Sequence, residues 1–232
     1  IKGDVASTQL PHFGANFWRE WERPVSVELF AAEGELLLSQ NAGLKVHGGW
    51  SRAAPQKSLA LIARNRYGDN RFRYPVFSEK PIGEFKQWLL RNSGNDWVRT
   101  LFRDALGHHI ANEIGLDCQA YQPVHIYLNG RYWGIHNLRE RLNEHFIASN
   151  HSVSSSEIDM LEGQRNVIVG EVDSFDELLA YLRDGDPKGE SFQDDIESMM
   201  DVSNFFDYIA IQIYIDNTDW PENNIRYWKS RK

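Results

Sequence analysis

In the stretch DNTDWPENNIRYW, residues 216–228, two aspartates and three asparagines lead into a run of alternating apolar residues. Asp219 and Asn224 stand five positions apart with WPEN between them. Phosphoryl transfer needs a carboxylate beside the acceptor hydroxyl and hard oxygen ligands on the metal that neutralises the phosphates, and a loop of H-R-D-x-x-x-x-N type supplies both from this spacing. Of the sixteen aspartates, only Asp219 has an asparagine at that offset, and it lies between an apolar helical stretch and a strand. The competing reading is structural: Asp216, Asn217 and Asp219 finish the helix and build a turn with Pro221.

Lys57, in GGWSRAAPQKSLAL, sits where a strand follows a glycine-containing loop, a place from which an ammonium can meet nucleotide phosphates. Arg52 adds a second cation in the same loop. No G-x-G-x-x-G or Walker A string accompanies them, so both residues also read as ordinary solvated cations. Glu140 follows the second strand of a hairpin and is flanked by Arg139, Arg141 and Glu144. Either it lies with Glu144 on a solvated face, paired to the arginines, or it points inward to Lys57 or a ligand. The eight histidines show no H-E-x-x-H spacing, and no G-x-S-x-G string occurs, so neither a zinc hydrolase nor a serine hydrolase has its motif here.

The elements that must hold these residues can be read from periodicity. VSVELF (25–30) alternates as a strand, AAEG turns the chain, and ELLLS continues it; LKVH is a short strand before the Gly-Gly loop, and a further strand covers about Lys57 to Ala63. The three-to-five spacing of Leu101, Phe102, Ala105, Leu106, Ile110 and Ile114 predicts a helix from Trp97, ending at the C-cap glycine Gly115. VHIYLNGRYWGIHNL is a hairpin turning at Asn129-Gly130. Ser149 to Ser156 reads as a surface loop and SFDELLAYLRDG as a short helix. SNFFDYIAIQIYIDN carries a helical stripe, capped at Ser203, although IQIYI also alternates like a strand.

The 232 residues suffice for one large or two-lobed domain. With 25 Lys and Arg against 33 Asp and Glu, the net charge of -8 and the lack of a basic cluster make a poor general phosphate-backbone binder, so nucleic acid is not an expected partner. No apolar run approaches the length of a membrane span. The single cysteine, Cys118, rules out an internal disulfide and a cysteine-based zinc site. Beginning at Ile1, the chain reads as a trimmed piece. Eight Trp and nine Tyr leave room for a third class of function, a secreted glycan-binding protein.

Four blocks together resemble the spore-coat-protein-H or CotH family of atypical protein kinases: KVHGGWSRAAPQKSLAL, LLRNSGNDWVRTLFRDALGHHIANEIGL, PVHIYLNGRYWGIHNLRERLNEHF and FFDYIAIQIYIDNTDWPENNIRYWK. The resemblance runs from about Val25 to Trp228. It implies an α+β, kinase-like two-lobed fold within a single domain, 1–232: an antiparallel-sheet N-lobe with helix and hairpin over about residues 20–140, and a mainly helical C-lobe over about 141–232. It implies ATP and magnesium or manganese as cofactors, and γ-phosphoryl transfer to Ser or Thr of a secreted or surface protein. By resemblance Lys57 contacts the phosphates with Arg52, Asp219 is the base or the acid that orients the acceptor and also a metal ligand, Asn224 holds metal, and Glu140, which matches the family's hairpin glutamate, is a cofactor-binding residue that meets Lys57, metal or the nucleotide base. Asn217 and Asn223 match loop amides. On this reading Lys57, Asp219 and Asn224 converge on one cleft. The GGWSRA loop departs from the commoner family form, in which Gly, Asn and Ser sit together. Relatives also continue into an Asp-x-Asp segment beyond this loop; the C-lobe part is therefore expected to be incomplete at Lys232. An inactive kinase-like scaffold that binds coat or surface partners is the alternative.

Overall fold

The computed structural model describes residues 6–221 and 224–232. It is a mixed α and β chain with antiparallel sheets and several helices, divided into two compact units: residues up to His108 with Gln119–Arg141, and His109–Cys118 with Leu142–Lys232.

The first unit is built on β1 (Arg23–Phe30), β2 (Leu36–His47), β3 (Ser58–Ile62), the short β4 (Phe72–Arg73) and β5 (Glu84–Phe85), β6 (Gln87–Arg91), the start of helix α1 (Arg103–Glu113), β7 (Tyr121–Leu128) and β8 (Arg131–Glu140). Six strands pair antiparallel in the order β1-β2-β3-β6-β8-β7. The two segments ELLLS and LKVH, read as separate strands, are one 12-residue strand. Alternation explains β1, whose Val25, Val27 and Leu29 pack on the core, whereas every residue of the central β3 is buried. Phe72 stacks on Trp88 at 4.3 Å and Phe77 meets Phe85 edge-on at 5.3 Å in that core. At the hairpin tip Asn129 and Gly130 take φ of 51° and 75°, the pair of positive values a two-residue turn needs to match the strand twist.

Helix α1 starts later than its apolar spacing predicts. Leu101 has φ 64°, which a right-handed helix does not admit, and Asp96 instead accepts the Thr100 and Arg103 amides at 3.2 and 3.1 Å, so the first regular turn begins at Arg103. Its end is as expected: Gly115 takes φ 81° and Leu116 N–H returns to the Ala111 carbonyl at 3.2 Å.

One clasp in this unit has a pH signature. The Glu22 carboxylate accepts Arg64 Nε and Nη2 at 2.9 Å each, the Tyr67 hydroxyl at 3.0 Å, and Arg66. Burial alone would raise its pKa, but these donors outweigh it and hold the carboxyl at about 2, against an ordinary 4.5. The clasp therefore adds stability that is complete above pH 4.5 and fades as pH falls towards 2. In Glu22→Gln, melting temperatures between pH 7 and pH 3 should fall less steeply than in the wild type.

The second unit comprises the end of α1, then α2 (Glu144–His151), β9 (Ile158–Glu162), β10 (Asn166–Val169), α3 (Asp173–Asp184), α4 (Phe192–Met199), α5 (Val202–Tyr214) and β11 (Arg226–Ser230). Antiparallel strands β10-β9-β11 form a sheet the sequence reading missed; β9 and β10 are short and sit in a polar region. Ser149 to His151 lie in α2, so the expected loop is confined to the residues after it. The stretch with dual character is helix α5, and its cap is Asp201, not Ser203: the Asp201 carboxylate accepts Asn204 N–H at 2.9 Å. Apolar packing is split between Phe146, Ile147, Ile158 and Met160 and a second group of Ala111, Leu116, Cys118 and Ile211.

Candidate functional site

The polar loop leaves α5 through a dense set of local bonds. Ile215 and Asp216 amides return to the carbonyls of Ile211 and Ile213, and Asn217 N–H reaches the Gln212 carbonyl at 3.1 Å. Asn217 also donates Nδ2 to Gln212 Oε1 at 2.6 Å and accepts the Asp219 amide at 3.2 Å. Asn217 is thus the residue that turns the chain, and the structural role weighed for Asp216, Asn217 and Asp219 holds in part. Trp220 meets Tyr208 of α5 edge-on at 6.2 Å, and the Trp220-Pro221 peptide is cis. The loop ends in β11, which pairs with β9 from Arg226 to Ser230. A helix at one end and a paired strand at the other hold the loop between them.

Within this frame Asp219 and Asn224 come together. Asn224 Nδ2 donates to Asp219 Oδ2 at 2.6 Å, and both residues are exposed. Asn224 has φ 60°, a left-handed conformation that asparagine tolerates better than most residues. Carboxylate and amide oxygens are hard donors, and magnesium is typically held by one or two protein oxygens, with phosphates and water completing its shell. The chemistry of this pair fits such an ion. Asn223 lies outside the described residues.

Lys57 and Arg52 belong to the first unit. Lys57 immediately precedes β3 instead of lying on it. Its ammonium donates to the Ala54 carbonyl at 2.6 Å and rests 4.1 Å from the centre of the Phe17 ring, and partial burial lowers its pKa below the ordinary lysine value. The backbone behind it is fixed by buried polar groups. His136 Nε2 meets the Lys57 carbonyl at 2.9 Å and its Nδ1 meets Gln56 Nε2 at 3.0 Å, so the ring donates to the carbonyl and accepts from the amide. Gln56 also receives Trp97 Nε1 at 2.9 Å. Its amide lies across Gly134, where φ is 113° and an added Cβ would stand 2.7 Å from Gln56 Nε2. Gly134→Ala should therefore cost about 1–3 kcal/mol, seen in chemical denaturation, through both the strained backbone and the displaced amide.

Glu140 is inward, and the cation it meets is Lys80, not Lys57. Its carboxylate takes the Lys80 ammonium and the Ala120 amide at 2.6 and 2.9 Å, and only 5% of the side chain is exposed. The flanking arginines do not form the solvated pairs weighed for them. Arg139 is fully buried against Asp104 and the Ala120 carbonyl, and Arg141 donates to Gln87 at 2.6 Å. Sequence reasoning missed Lys80 because it lies in an irregular connection, where no periodicity marks an inward position.

The first unit thus carries a lysine at a strand entrance, and the second an Asp and Asn pair on a helix-to-strand loop. A family model described as CotH kinase protein matches residues 44–232, which include Arg52, Lys57, Glu140, Asp219 and Asn224. The chain belongs to the CotH kinase family. Among curated proteins nothing matches it. Family membership suggests a kinase-like function, with ATP and metal use in general.

Proposed function

We propose that the protein is an ATP- and divalent-metal-dependent kinase of two-lobed, kinase-like design, transferring the γ-phosphoryl group to Ser or Thr of a secreted or surface protein. The observation that carries this reading is the 2.6 Å contact between Asn224 and Asp219, two residues whose spacing alone suggested the chemistry. Asp219 orients the acceptor hydroxyl and takes its proton as the oxygen–phosphorus bond forms and the bond to the ADP oxygen breaks. Asn224, with Asp219, holds the metal, whose charge offsets that of the phosphates when it is bound. Lys57 and Arg52 contact the phosphate chain. Glu140 keeps the end of β8 in register through Lys80 and Ala120.

Two measurements test the reading. Mg·ATP at about a hundred times its dissociation constant should stabilise the folded protein by about 2.7 kcal/mol, read as a rise in melting temperature. Incubation with γ-labelled ATP and magnesium should deposit label on serine or threonine of an acceptor protein. Absence of both effects would remove the kinase reading and leave a binding scaffold.

A further inference from the structure

The two cations expected to meet phosphate are already engaged, and one short segment engages both. Residues Phe17 to Glu20 run beside the Gly-Gly loop of the first unit. The Phe17 ring lies over the Lys57 ammonium at 4.1 Å, and the Phe17 carbonyl takes Arg52 Nη1 at 3.4 Å. The Arg52 guanidinium stands 5.6 Å from the Trp18 ring. One oxygen of the Glu20 carboxylate accepts Arg52 Nη2 at 3.1 Å, and the other accepts Lys45 Nζ at 2.6 Å. Lys45 is on β2 opposite Ala60 of β3, and Arg52 is tied by Nε to the Gly48 carbonyl at 2.5 Å.

An oxyanion with each oxygen held by a separate cation is also how a phosphate group is bound. The exposures are unequal in a telling way: the Glu20 side chain is 65% exposed, against 27% for Lys45 and 13% for Arg52. The cations are fixed to the sheet and its loop, while the carboxylate lies on the solvent side and can leave without disturbing the core. Exposed ion pairs of this kind are weak, so a more highly charged oxyanion displaces the carboxylate at little cost.

We propose that Lys45 and Arg52 form a binding pair for the polyphosphate of a nucleotide, that Glu20 is its internal placeholder, and that the Phe17–Glu20 segment competes with the nucleotide. Lys45 becomes a phosphate-binding residue, and the segment a built-in brake on occupancy. This deepens the kinase reading, resting on its assignment of Arg52 and Lys57 to the phosphates.

The test is calorimetric titration of inorganic tripolyphosphate into four forms of the protein: wild type, Glu20→Gln, Glu20→Gln with Lys45→Met, and Glu33→Gln. Glu33 is an exposed carboxylate on the β1–β2 turn and controls for net charge. Glu20→Gln should bind roughly tenfold tighter than wild type, the added Lys45→Met should cancel the gain, and Glu33→Gln should match wild type. Equal affinity in wild type and Glu20→Gln, an equal gain in Glu33→Gln, or no binding in any form would overturn the inference. Label transfer from ATP is scored separately. Its failure with the tripolyphosphate pattern intact would remove the kinase reading alone, and unchanged affinity with transfer intact would remove the placeholder alone.

Discussion

Asp219→Asn is expected to lower the rate of phosphoryl transfer about a thousandfold, within the range set by loss of a general base. The substitution changes little else. Asp219 is exposed, so no apolar packing depends on it, and the amide oxygen of an asparagine can still accept Asn224 Nδ2. What is lost is the negative charge and the ability to take a proton. Melting temperature and circular dichroism should match the wild type, which separates a chemical defect from a folding one. Transfer within tenfold of wild type would show that another group does the work assigned to Asp219.

The largest effect on stability is expected at Glu140. Its carboxylate neutralises Lys80 and satisfies the Ala120 amide in a site from which solvent is nearly excluded. Glu140→Ala takes that carboxylate from the partly buried Lys80 ammonium and from the Ala120 amide, a change that costs about 2–3 kcal/mol, or roughly 5–10 °C in melting temperature for a chain of this size. Replacing both partners by apolar residues, as in Glu140→Leu with Lys80→Met, should recover much of the loss, since it removes the desolvated ammonium together with the carboxylate. A double variant as unstable as the single one would mean that the Ala120 contact carries the effect.

Local signals made much of the fold legible. The Asn129-Gly130 turn and the α1 C-terminus at Gly115 depend on backbone conformations that few residues adopt, and those residues stand out in a sequence. Helix α5 was legible because its apolar stripe runs long enough to outweigh the alternation of IQIYI. The start of α1 was not legible, because apolar spacing through residues 97–102 carries no trace of the positive φ at Leu101. The β9-β10 hairpin escaped for a related reason: its strands are short, and the pairing of β9 with β11 is a tertiary fact.

The site divides along the same line. Asp219 and Asn224 are close in sequence, so their spacing announces their contact. Lys57 with His136, Arg52 with Glu20, and Glu140 with Lys80 are joined across 79, 32 and 60 positions. Such partners are chosen by tertiary contacts, which a single sequence does not display.

Equilibrium binding of Mg·ATP to the wild type, to Lys57→Met and to Asn224→Ala probes the proposed activity at its first step. The kinase reading predicts nucleotide binding weakened by about tenfold or more in each variant, with the fold unchanged. A wild type that binds no nucleotide, or an affinity indifferent to both substitutions, would contradict it.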